Sequence, residues 1–169
     1  MYLQSVIDCH SRYAWGHLYA SKLPVTAVHV LNSDVLPLFE KHGVPIMTVL
    51  SANGREYCGR PDRHPHELFL QLEGIEHRTT KVRPASEQRF CGAPGLHASG
   101  RAFPDQRPHQ VVESVEEMQK DLDEYLTIYT TKRPHQGRNM KGRTPQKAFM
   151  DGLKGLKVKP PKASNRKAA

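Results

Sequence analysis

At 169 residues, with 37% hydrophobic residues and 13 prolines, the chain is long enough for one packed domain but too polar and proline-rich for all of it to pack. Its formal net charge of +8 belongs to the C-terminal end: residues 132–169 carry twelve Lys/Arg against one Asp/Glu, residues 1–131 thirteen against sixteen, so that end reads as polyanion-binding, with nucleic acid the partner it suits. No apolar run nears the ~20 residues of a membrane span, and Cys9, Cys58 and Cys91 are odd in number, far apart and in no Cys-x-x-Cys pair, so neither a zinc site nor a disulfide framework is indicated and a soluble, cytoplasmic protein with reduced thiols is expected.

Tyr2 to Asp8 and Tyr13 to Ala20 read as two strands of an antiparallel hairpin, with Asp8 accepting turn amides or pairing with Arg12. From Pro24 the period changes. Val25, Val28, Leu31, Val35, Leu38 and Phe39 form an amphipathic helical stripe closed by Gly43, with a kink or restart near Ser33-Asp34 because Pro37 removes an amide donor. The run from Pro45 to Leu50 predicts a buried strand ending in a turn at Asn53-Gly54. His64-Pro65-His66, with no third ligand in view, opens a helix rather than a metal site, and Glu67 to Gly74 completes that helix. Ile75 to Val82 reads as a strand. Residues 84–112, rich in Pro and Gly, show neither period and are expected to lack a stable helix. Order returns with the capping box Ser114-Val115-Glu116-Glu117 and the stripe Val115, Met118, Leu122, Tyr125, Leu126 and Tyr129.

Four stretches in order carry a resemblance: Tyr2-Leu3-x-x-Val6-Ile7-Asp8-x-x-Ser11-Arg12-Tyr13; Ser51-x-Asn53-Gly54-x-Glu56-Tyr57; Gly74-Ile75-Glu76-His77-Arg78-Thr79-Thr80; and Arg133-Pro134-His135-Gln136 with Gly142-Arg143-Thr144-Pro145. Together they resemble the integrase-core (DDE) transposases of bacterial insertion sequences, over residues 2–82 and 113 to about 150. The resemblance implies a ribonuclease-H-like α/β integrase core, incomplete. It divides the chain into an N-terminal part of the core (1–83), an aberrant segment (84–112), a C-terminal helix and basic segment (113–150) and a disordered basic tail (151–169).

Active members hold two Mg²⁺ ions roughly 4 Å apart on three carboxylates. Here the resemblance places the first carboxylate on a strand upstream of Met1, the second at Ala52 and the third on a helix that residues 84–112 replace. A methyl group cannot ligate a hard cation that demands oxygen. No catalytic residue is then intact and no cofactor is retained, while DNA binding, weak and sequence-tolerant, is expected from Lys132, Arg133, Arg138, Lys141, Arg143 and Lys147. An active transposase performing metal-dependent strand transfer is the family alternative. A small basic nucleic-acid-binding protein without that ancestry is the third reading, and the order of the motifs opposes it.

Residues 84–112 have a specific explanation. Taking the last two bases of each codon with the first of the next, codon degeneracy lets Ser86 to Arg101 spell Ala-Asn-Asn-Gly-Phe-Val-Glu-Arg and then Leu-Asp-Glu, which is very similar to the family's glutamate helix. A frameshift near Val82 to Ser86, compensated near Val112, accounts for the abrupt loss and return of pattern.

Overall fold

A computed structural model describes residues 1–80 and 114–156. In chain order they form β1 (Tyr2–Ile7), β2 (Ala14–Tyr19), α1 (Pro24–Val30), a π-helical turn (Leu31–Val35), α2 (Leu36–Lys41), β3 (Thr48–Ser51), α3 (Pro65–Leu72), β4 (Glu76–Thr79), α4 (Val115–Thr131) and α5 (Pro145–Gly155). The fold is mixed α/β with two separate two-stranded sheets among the described residues, β1–β2 antiparallel and β3–β4 parallel. Among the described residues no helix is long and apolar enough to cross a membrane.

The hairpin is the centre of the packing because strand alternation gives it two apolar faces. Val6, Trp15 and Tyr19 meet Val30, Leu31, Val35 and Leu36 of the kinked helix, together with Leu70 and Ile75. Leu3, Ile7, Ala14 and Leu18 meet Leu122, Leu126 and Tyr129 of α4 on the opposite face. Gly16 permits that second contact, since a Cβ there would come within 3.3 Å of Leu3 and 3.5 Å of Leu126. The Gln119 side chain then seals the outer edge of β2, accepting from the Leu18 amide at 2.8 Å and donating to the Gly16 carbonyl at 3.3 Å.

The kink expected at Pro37 takes the form of the π-turn. The Leu36 amide reaches back to the Leu31 carbonyl, and Pro37 falls in the first turn of α2, where a missing donor is harmless. Gly43 (φ 66°) and Gly74 (φ 69°) end α2 and α3 in the left-handed region, and the amides of Val44 and Ile75 bond back to Phe39 and Leu70. Ser114 caps α4 by accepting from the Glu117 amide at 3.2 Å, as its capping box predicts.

Several expectations need correction. The strand expected to be buried over residues 45–50 is shorter and starts later, as β3, and Thr48 and Leu50 on it are exposed; among the described residues β3 pairs with β4 alone. The strand expected from Ile75 to Val82 is ordered as β4 over Glu76–Thr79, with Ile75 buried just before it, while Lys81 and Val82 lie outside the described residues. A boundary after residue 150 would cut α5, which runs to Gly155 behind a Thr144 cap and Pro145 in its first turn. Among the described residues Cys58 is a free thiol, and Cys91 lies outside them. The aberrant segment 84–112 and the tail beyond Leu156 lie outside the described residues.

Candidate functional site

Ala52 stands where β3 ends, exposed, on the rim of a large cavity between the two sheets that Asp8 also lines. The turn around it is firmly held. Asn53 donates to the Thr80 carbonyl at 2.7 Å, and the amides of Tyr57 and Cys58 both bond to the Gly54 carbonyl at 3.0 Å. The Tyr57 hydroxyl donates to Gln4 at 2.7 Å, and Gln4 donates to Thr26, which ties this turn to β1 and α1.

The acidic groups nearby are engaged elsewhere. Asp8 accepts from the amides of His10 and Ser11 and from the Ser11 hydroxyl, the turn role expected of it; the alternative partner Arg12 instead donates its own amide to the Asp8 carbonyl. Glu56, buried, pairs with Lys22 at 2.9 Å. Among the described residues no group of three His, Cys, Asp or Glu side chains is placed to hold a metal ion.

Sequence reasoning missed one constellation entirely. His77 Nε2 lies 2.8 Å from Ser51 Oγ, and His77 Nδ1 lies 2.9 Å from Glu67 Oε1. Ser51 and His77 share a face of the β3–β4 pair two residues apart in register, and Glu67 reaches them from α3. Only the strand register reveals this contact; the chain separates the three residues by 10 to 26 positions. The connectivity is that of a serine–histidine–carboxylate relay, but such chemistry also needs donors aimed at the developing oxyanion. The Asn53 amide is committed to Thr80, and the Ser51 hydroxyl has a second acceptor in the Ala52 carbonyl at 3.1 Å. Burial pushes the Cys58 thiol up, away from the thiolate a nucleophile requires. The array acts as a clamp joining β3, β4 and α3.

His66, next to this clamp, is 1% exposed, with Nδ1 3.1 Å from the Tyr57 carbonyl and its ring 5.0 Å from that of His77. The expected absence of a ligand role for His64-Pro65-His66 leaves a structural one, in which Pro65 starts α3 and His66 fills the space beneath Tyr57. Burial, then repulsion by His77, lowers the His66 pKa to about 4. The unfolded chain takes up that proton near pH 6.5 and the folded one only near pH 4, so stability falls as the pH drops through that window. The loss should be on the order of 2–3 kcal/mol, and His66→Gln should flatten the slope of urea-unfolding midpoints between pH 6.5 and 4.

The basic segment is also ordered. His135 donates its amide to the Arg143 carbonyl at 3.1 Å, Gly142 donates to the His135 carbonyl at 3.0 Å, and Met140 is fully buried beneath the loop. Asn139, Lys141 and Gly142 all have positive φ. Lys132, Arg133, Arg138, Lys141 and Lys147 are exposed around this loop and the first turn of α5. Arg143 differs from them. It donates to Asp151 at 3.0 Å and to the carbonyls of Met140 and Asn139, so it locks the loop to α5.

Beside this rim lie three buried polar atoms without a hydrogen-bond partner among the described residues: Arg12 Nη1, Tyr129 OH and His135 Nε2. The Tyr129 and His135 rings are 4.6 Å apart, and Arg12 and Arg133 both act electrostatically on them. Burial raises the Tyr129 hydroxyl and lowers the His135 imidazole, which keeps both neutral at pH 7.

No protein-family model matches the chain, and no curated protein matches it.

Proposed function

We propose that the chain is the remnant of an integrase-core transposase, with a ribonuclease-H-like core that has lost a catalytic carboxylate at Ala52 and keeps a DNA-contacting basic loop. The observation that carries this reading is Ala52: the strand end that resembles the family's second metal-binding segment presents a methyl group, while the neighbouring carboxylates serve a turn and a lysine. The basic rim, with Lys132, Arg133, Arg138, Lys141 and Lys147 exposed, suits a phosphate backbone. Strand transfer by two Mg²⁺ ions is not retained under this reading, because the ions lack their ligands.

The coding DNA tests the ancestry. Its shifted frame should encode Phe-Val-Glu-Arg across Phe90 to Ala93, with the family's glutamate straddling the codons of Gly92 and Ala93. A shifted frame that reads otherwise overturns the frameshift. A frame interrupted by stop codons there would favour a small basic nucleic-acid-binding protein of unrelated origin.

A further inference from the structure

We infer that Arg12, Tyr129 and His135 form a binding site for free inorganic phosphate, recognised by the proton it keeps on one oxygen. The inference does not rest on the transposase reading, because a nucleic-acid phosphodiester is fully ionised and has no such proton. It starts from a charge without a counter-charge. Arg12 sits in the turn between β1 and β2 at φ 63°, a left-handed conformation that costs a non-glycine residue free energy. Its amide is spent on the Asp8 carbonyl, and the Asp8 carboxylate is spent on the amides of His10 and Ser11 and on the Ser11 hydroxyl. Among the described residues Arg12 makes no ion pair, and its buried Nη1 has no hydrogen-bond partner. A guanidinium withdrawn from water without an anion beside it is costly.

Tyr129 from α4 and His135 from the basic loop bring their rings together at 4.6 Å, and Arg12 and Arg133 act electrostatically on both. Tyr125 stacks on Tyr129 with ring centroids 6.3 Å apart, and among the described residues no carboxylate acts on either the Tyr129 hydroxyl or the His135 imidazole. Tyr129 is 4% exposed, yet its hydroxyl bonds to nothing among the described residues. The site therefore combines two cations with polar atoms that the fold itself leaves unsatisfied.

What these atoms demand differs from one to the next. Arg12 Nη1 only donates, and the neutral Tyr129 hydroxyl has a proton to give. His135 is the opposite. The Tyr129 carbonyl favours a proton on its ring, and with Nε2 unpartnered that proton lies on Nδ1, which leaves Nε2 a lone pair. The matching ligand offers acceptors to Arg12 and Tyr129, a donor to His135, and negative charge to both arginines. A carboxylate or a sulfate brings acceptors alone at neutral pH, and an alcohol brings no charge. A phosphate monoester has lost most of its remaining proton above a pKa of about 6. Inorganic phosphate meets every demand, because both of its forms at neutral pH keep a P–OH group.

The test is calorimetric titration of the full chain with inorganic phosphate and with sulfate, an anion of the same shape that carries no proton. At neutral pH phosphate binding should saturate, and sulfate should bind about tenfold or more weakly, the penalty for setting an acceptor against an acceptor. As the pH falls, sulfate should gain on phosphate, because protonated His135 becomes a donor at Nε2. Tyr129→Phe should weaken phosphate binding by about tenfold. It should not lower the thermal midpoint, since the hydroxyl it removes bonds nothing among the described residues. Sulfate that binds as tightly as phosphate at neutral pH would overturn the proposal. So would a chain that does not bind millimolar phosphate, or a Tyr129→Phe chain that binds it unchanged. Displacement of phosphate by an oligonucleotide without terminal phosphates would also overturn it, by assigning these residues to the nucleic-acid surface.

Discussion

Replacing Leu122 with alanine should lower the stability of the folded chain by about 3–4 kcal/mol, shifting its thermal midpoint by roughly 10 °C. Leu122 is 1% exposed and packs in one cluster with Ala14, Leu126 and Tyr129, where α4 covers one face of the hairpin. Truncation removes the transfer free energy of the side chain and leaves a cavity, because strands packed on both faces relax little. The control lies on the same helix. Ile128 is 43% exposed, and Ile128→Ala should cost well under 1 kcal/mol. Differential scanning calorimetry of the two variants measures whether α4 is part of the core despite the interruption of pattern before it. Equal midpoints would mean that α4 does not dock on the hairpin.

The second large effect is electrostatic. Lys132, Arg133, Lys141 and Lys147 are exposed on the basic loop and the start of α5, so their combined replacement by alanine should reduce the log–log salt slope of DNA binding by about 3–4, at roughly 0.9 per phosphate contact. Between 50 and 200 mM salt, that difference amounts to roughly a hundredfold change in affinity ratio. Arg143→Ala should act otherwise, because its guanidinium is bonded to Asp151 and to two carbonyls of the loop. It should leave the slope almost unchanged and lower stability by about 1–2 kcal/mol. Fluorescence anisotropy with duplexes of unrelated sequence measures both slopes. A slope that survives the fourfold substitution would place the DNA surface elsewhere.

Local rules made much of this architecture readable. Alternation from Tyr2 to Tyr19 located the hairpin, Pro37 located the break between α1 and α2, and Ser114 with Glu117 located the start of α4. What could not be read was whatever depends on partners distant in sequence. The run ending at Leu50 looked like a buried strand because it is apolar, yet among the described residues only Ser51 of β3 is buried, and β3 pairs with β4 alone. Ser51, Glu67 and His77 carry no shared spacing and meet only through the parallel register of β3 and β4. Arg143 looked like any other cation of the basic segment; its engagement with Asp151 arises because α5 continues past residue 150. That continuation was available to sequence reasoning, since Thr144-Pro145 is a cap followed by a first-turn proline ahead of buried Ala148 and Phe149.

The central claim is that a transposase-like core persists here without its chemistry, and incubation of supercoiled plasmid with the purified chain tests it most directly. With Mg²⁺ or Mn²⁺ present, the plasmid should remain supercoiled. Ala52→Asp should not change that result, because one restored carboxylate cannot assemble a site that needs three to hold two ions. Nicked or linear plasmid that forms in proportion to the protein, requires the divalent ion and is abolished by a chelator would contradict the account.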